Sequence, residues 1–169
     1  MFLDKNRPFY KSVKHFKIQE IELASWQKFI TSKFEGTSKK IDAAYIEKIY
    51  KLTKGFPYYT QQFAYELWSQ CDSSVNDALF TKTLQIILER EEDLFVLEWD
   101  NLTPNQKKAL KIVLEKEGKS LYDEQSFAKY QIKSGSFQTA LQGLIQKDII
   151  HKDKDRYQFQ DRWFEYWIS

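Results

Sequence analysis

The sequence predicts a mainly α-helical protein of two modules: a four-helix bundle over residues 25–100, then three helices and a β-hairpin over 101–169. Three observations carry this. Only 5 Gly and 3 Pro among 169 residues leave little room for long irregular loops. Apolar residues recur at helical spacing in almost every segment after Ser25. At Asn101-Leu102-Thr103-Pro104 the pattern restarts, with Thr103 and Gln106 spaced as a capping box and Pro104 at a first helical position. A composition that is 42% hydrophobic and 17% aromatic is enough to fill a core.

Residues 1–24 do not read as an independent start. Arg7-Pro8-Phe9-Tyr10 interrupts any helix, and Phe16, Ile18, Ile21 and Leu23 suggest short extended pieces. Such pieces cannot satisfy their own backbone and are expected to link to a neighbouring domain. Ser25 can cap a first helix with Trp26, Phe29, Ile30 and Phe34 on one face, closed by Gly36. Asp42 can cap a second, with Tyr45, Ile46, Ile49 and Tyr50 inward and Gly55 as its stop. Pro57 opens a third, with Tyr59, Phe63, Leu67, Trp68 and Cys71 on a face. The fourth begins near Ser74 and carries Leu84, Ile87, Leu88, Leu94, Phe95 and Leu97 inward toward Trp99.

After Thr103, Ala109, Leu110, Val113 and Leu114 mark a helix, and Phe127 with Ala128 anchor a short one over 123–130. Phe137, Ala140, Leu141, Leu144 and Ile145 stripe the next. Ile149-Ile150-His151 and Arg156-Tyr157-Gln158-Phe159 flank Lys152-Asp153-Lys154-Asp155 as strand, turn and strand. Three helices followed by a hairpin is the order of a winged helix. The aromatic tail, Trp163, Phe164, Tyr166 and Trp167, is expected to fold back as core.

Several chemistries are excluded. Gly118-Lys119-Ser120 matches the tail of a phosphate-binding loop, but Val113 stands where the motif needs glycine, and no strand precedes it. His15 and His151 lie far apart and Cys71 is the single cysteine, so no metal set and no internal disulfide can form. Glu89, Glu91, Glu92 and Asp93 follow one another round a helix and read as solvated charge. No apolar run reaches membrane-spanning length and the N-terminus lacks a signal-peptide core, so the expected location is cytoplasmic.

Net charge is only +2, but it is unevenly spread. Residues 1–60 carry 12 Lys/Arg against 6 Asp/Glu, residues 61–102 carry 2 against 9, and residues 103–169 carry 12 against 9. In a DNA-binding winged helix the third helix enters the major groove and the wing contacts phosphates. Here Lys133, Gln138, Gln142 and Lys147 line the polar side of that helix, and the wing adds Lys152, Lys154 and Arg156. Glutamine can read adenine bidentately. Asp148, Asp153 and Asp155 interleave with these cations and cancel much of their field, which favours a protein partner or intramolecular packing over nucleic acid.

The order of these motifs resembles the C-terminal half of archaeal-type AAA+/STAND ATPases. It rests on Arg7-Pro8-Phe9-Tyr10, Gly55-Phe56-Pro57-Tyr58-Tyr59, the Leu102-Thr103-Pro104 restart, the winged helix and the Tyr157–Trp167 ending. The resemblance implies that 25–100 is a helical lid and that residues 1–24 link it to a missing N-terminal ATPase core. It also implies that Gly55 and Pro57, with Tyr58 and Tyr59 beside them, lie near nucleotide in the parent. The phosphate loop, acidic Mg-binding motif and sensor strand of that family are absent. Tyr58, Tyr59, Thr60 and Gln61 stand where many lids carry an arginine, so no catalytic residue carries over. The chain itself is therefore expected to be no enzyme and to hold no cofactor, with ATP and Mg implied for the parent. Its implied role is regulatory: the lid closes on nucleotide in the core, and the winged helix contacts a partner protein or nucleic acid. The alternative is a complete, transcription-factor-like DNA-binding protein.

Overall fold

The computed structural model describes residues 21–169, so the expectations placed on Arg7–Tyr10, Phe16 and Ile18 lie outside the described residues. Among the described residues eight helices and one hairpin run in order: α1 Leu23–Glu35, α2 Ala43–Thr53, α3 Pro57–Gln70, α4 Asp77–Asp100, α5 Pro104–Glu115, α6 Glu124–Lys129, α7 Ser134–Gln146, β1 Ile150–Asp153, β2 Arg156–Phe159 and α8 Arg162–Trp167. The chain is mainly helical, as its composition implied.

The chain divides into two compact units between Asn76 and Asp77, ahead of α4 instead of after it at residue 100. Phe95 on α4 shows why. Its ring lies 5.7 Å from that of Phe164 and 6.0 Å from that of Trp167, which ties this helix to α8.

In the first unit α1, α2 and α3 bury Trp26, Ile30, Phe34, Ile46, Ile49, Phe63 and Leu67. α1 starts two residues before the expected cap. Glu22 occupies the N-cap without a side-chain bond, and Ser25 lies inside the first turn. Gly36 ends α1 in right-handed backbone, so it does not serve there as a left-handed stop. Asp42 does occupy the N-cap of α2 but makes no side-chain cap bond. A parallel bridge between Lys40 and Ser74 ties the segment before α2 to the one after α3.

In the second unit the capping box at Thr103 is complete: Gln106 N–H donates to Thr103 Oγ1 (3.2 Å) and Thr103 N–H to Gln106 Oε1 (3.0 Å). α5 and α7 bury Ala109, Leu110, Ile112, Phe137, Leu141 and Leu144 against one another. Asp123 caps α6 by accepting from the Ser126 hydroxyl and N–H, and it pairs with Lys116 at 2.9 Å. In α6 Phe127 is half-buried while Ala128 is exposed; buried Ser126 takes the position expected of Ala128.

The hairpin pairs Ile150 with Phe159 and Asp153 with Arg156, turning at Lys154-Asp155. Tyr157 N–H also donates to the Gly118 carbonyl at 2.9 Å, so the loop after α5 lies against β2 as a third rung. This contact explains the glycine of the false phosphate loop. Gly118 has φ +76, and a Cβ there would sit 1.9 Å from the Tyr157 carbonyl oxygen. α8 buries Trp163 and Phe164, capped by Asp161, while Tyr166 is 39% exposed; the aromatic tail is core in part.

Candidate functional site

The corner at residues 53–60 of the first unit is built from its ends inward. Lys54 and Gly55 both take left-handed backbone, φ 54 and 72, which turns the chain out of α2. A Cβ on Gly55 would lie 2.6 Å from a Tyr50 ring carbon and 2.8 Å from the Ile21 carbonyl oxygen, so only glycine fits. The Gly55 carbonyl accepts from Ile21 N–H and from the Trp26 indole, both at 3.1 Å, which locks the turn to the start of α1. Pro57 occupies the first turn of α3, where a missing N–H costs nothing.

Beneath the corner, fully buried Thr53 and Thr60 share a hydroxyl hydrogen bond of 2.8 Å, and Thr53 donates to the Ile49 carbonyl. Buried hydroxyls satisfied in this way hold the corner rigid. The geometry leaves the two tyrosines differently placed. Tyr58 is 66% exposed and Tyr59 half-buried, with their rings edge-to-face at 5.0 Å. Gly55 and Pro57 are thus the frame, and Tyr58 is the exposed ring of this corner.

Sequence reasoning missed a second feature of this unit. An apolar groove of about 400 Å³ runs between α1 and α3, lined by residues that include Phe29, Phe34, Tyr65 and Trp68. Phe29, expected inward, is 44% exposed there. Lys33 lies 5.4 Å from the Phe29 ring centroid and Lys39 lies 4.5 Å from that of Trp68. The Trp68 carbonyl accepts from Lys39 Nζ, and the Trp68 indole donates to Thr37. The available signal was a stripe of aromatics wider than three short helices need.

On the second unit, Gln138 and Gln142 stand one turn apart on α7, both exposed, with exposed Lys133 at the N-cap. Two expected cations are already engaged. Lys147 Nζ donates to the Asn101 carbonyl at 2.7 Å and lies 3.5 Å from Gln106 Oε1, so it closes the end of α7 onto the start of α5. Arg156 Nε donates to the Glu117 carbonyl at 2.8 Å, with its guanidinium 3.9 Å from the Glu117 carboxylate. Arg156 therefore braces the wing against the loop of Gly118. Lys152 and Lys154 remain exposed, Lys152 lying 5.5 Å from the Tyr157 ring centroid. The face thus offers Lys133, Gln138, Gln142, Lys152 and Lys154.

Electrostatic shifts in this unit sit in structural contacts. The Ser126 hydroxyl and Lys116 hold the Asp123 carboxyl well below the usual range. Lys129 and the Tyr130 hydroxyl lower Glu115. Burial, with Asp161 nearby, raises Glu98. Among the described residues no group of three or more His, Cys, Asp or Glu could hold a metal ion, and no helix is long and apolar enough to cross a membrane.

Comparison with known proteins places the fold. Residues 93–169 match a family model described as "Probable winged helix domain". No curated protein matches the chain. Among solved structures, the Walker-type ATPase PABY2304 of Pyrococcus abyssi is similar over 99% of this chain, with a TM-score of 0.65 and 16% identity. The chain spans 47% of that protein's length. The second unit thus carries a winged helix domain, and the chain shares its fold with about half of a Walker-type ATPase.

Proposed function

We propose that this chain acts as a regulatory C-terminal part of a P-loop ATPase. In this reading the helical unit is a lid that closes on nucleotide held by a separate core, and the winged helix contacts a partner protein or nucleic acid. The observation that carries it is the shared fold along 99% of the chain with part of a Walker-type ATPase. The rigid Gly55–Pro57 corner supports it, because it presents the exposed Tyr58 ring beside a proline where a lid would meet a base. The end of α7 and the wing support a protein partner over DNA, because Lys147 Nζ and Arg156 Nε already donate to backbone carbonyls. Uncompensated cations are what phosphate binding needs.

In this reading the chain alone lacks the means to bind ATP, and catalysis belongs to the core. Calorimetric titration of the chain with Mg-ATP should give no saturable heat; a micromolar dissociation constant would overturn the reading. The reading frame upstream of Met1 should encode a phosphate loop about 150–200 residues earlier. In that longer protein, Tyr58→Ala should raise the ATP dissociation constant by about threefold to tenfold, the worth of one aromatic contact. Unchanged affinity would remove the corner from the nucleotide site.

A further inference from the structure

We propose that the groove between α1 and α3 receives the C-terminal half of α4 from a second copy of this chain. The inference is independent of any nucleotide chemistry and begins with α4 itself. Phe80, Thr83, Ile87, Arg90, Leu94 and Leu97 follow one another in alternating steps of three and four, the spacing of a coiled-coil seam. Along that stripe Thr83 and Ile87 are fully buried, whereas Arg90 is exposed and Leu94 and Leu97 are 61% and 59% exposed. The covered face continues through Phe95, so Leu94 and Leu97 form an uncovered apolar edge beside it.

Its flanks decide what can cover it. Glu91 and Glu98 lie on one side of Leu94 and Leu97, Asp93 and Asp100 on the other; Asp100 stands 4.0 Å from Lys107, and burial raises Glu98. Two such helices paired together would set acid against acid at both edges. The face instead calls for an apolar partner rimmed by cations.

The α1–α3 groove has that chemistry. Phe29, Phe34, Tyr65 and Trp68 supply the apolar floor and wall, Lys33 lines it, Lys39 stands over the Trp68 ring, and among the described residues no carboxylate lines it. An amphipathic helix laid into an apolar groove is a common docking mode, with anchors three and four residues apart. Leu94 and Leu97 provide such anchors. Each copy carries one groove and one α4, and the assembly proposed is a two-fold dimer in which each groove takes the α4 of the other copy.

Sedimentation of the chain over a range of concentrations reads this directly. The mass should rise from one protomer toward two, and less so at high salt. Tyr65→Glu puts a carboxylate in the groove, and Leu97→Lys puts a cation on α4. Each alone should weaken self-association at least about tenfold. Both positions are exposed, so the thermal melt of each variant should match the parent. An equimolar mixture of the two should regain association, because the intact groove and the intact α4 meet, and at the other contact Glu faces Lys.

A monomer at all concentrations up to about 1 mM would overturn the proposal. So would association indifferent to both substitutions, or a mixture that stays apart. In a monomer, a change of Trp68 fluorescence on Leu97→Lys would assign the groove to the chain's own α4. A change on removing residues 1–20 would assign it to that segment.

Discussion

Glu98 shows how one side chain can work against the unit that holds it. It lies half-buried on α4, and its carboxyl is raised by burial first and by the charge of Asp161 second. A raised carboxyl costs stability when ionised in the folded state. That cost is full above its folded pKa and gone below the unfolded value of about 4.3. Glu98→Gln should therefore raise the melting temperature at pH 7 and leave it nearly unchanged at pH 4. Melts of both proteins across that range check this. An equal gain at both pH values would assign the effect to packing instead. Asp123 has the opposite sign, since the Ser126 hydroxyl and Lys116 hold it low. Its contribution is present above about pH 4 and is lost as the pH falls through its folded value.

At the scale of elements, the hairpin and α7 decide what the winged helix can bind. Of five cations expected on this face, Lys147 and Arg156 are tied to carbonyls, which leaves Lys133, Lys152 and Lys154 with the two glutamines. Three phosphate contacts give a salt slope near −2.7, so affinity for duplex DNA should fall about 40-fold between 50 and 200 mM salt. Fluorescence anisotropy with a labelled duplex should show weak binding at low salt that vanishes near physiological salt. Lys152→Ala with Lys154→Ala should flatten the slope by about two, uniformly across sequences. Tight, salt-resistant and sequence-selective binding would instead support a DNA-binding protein.

The same elements show what the sequence could reveal. The capping box at Thr103, Pro57 in the first turn of α3 and the hairpin turn are local devices, written in residues a few positions apart, and all three form, although the turn is Lys154-Asp155 and Lys152 and Asp153, expected in it, extend β1. Gly55 was legible as a turn, but its contact with Ile21 was not. The engagement of Arg156 spans 39 residues and that of Lys147 spans 46, distances over which a charge pattern carries no geometry. Leu94 and Leu97 misled for a related reason. Helical spacing identifies a stripe but not how much of it a neighbour covers.

For the molecule as a whole, the place of α4 is the open structural question with a direct answer. The sequence put a boundary at the Thr103 restart, yet the compact units divide at Asp77 and the winged-helix family match begins at residue 93, inside α4. The link is the Phe95 ring, 3% exposed, against Phe164 and Trp167. A fragment of residues 77–169 should therefore fold alone and unfold cooperatively in urea. A fragment of residues 101–169 keeps the capping box, the helices and the hairpin but uncovers those two rings. Loss of a core phenylalanine costs roughly 3 kcal/mol or more, a large share of the stability of so small a domain. The shorter fragment should accordingly show a much lower urea midpoint, with a slope per molar urea smaller roughly in proportion to its length, or no cooperative transition. Equal midpoints would return the boundary to the Thr103 restart and make α4 a helix of the first unit.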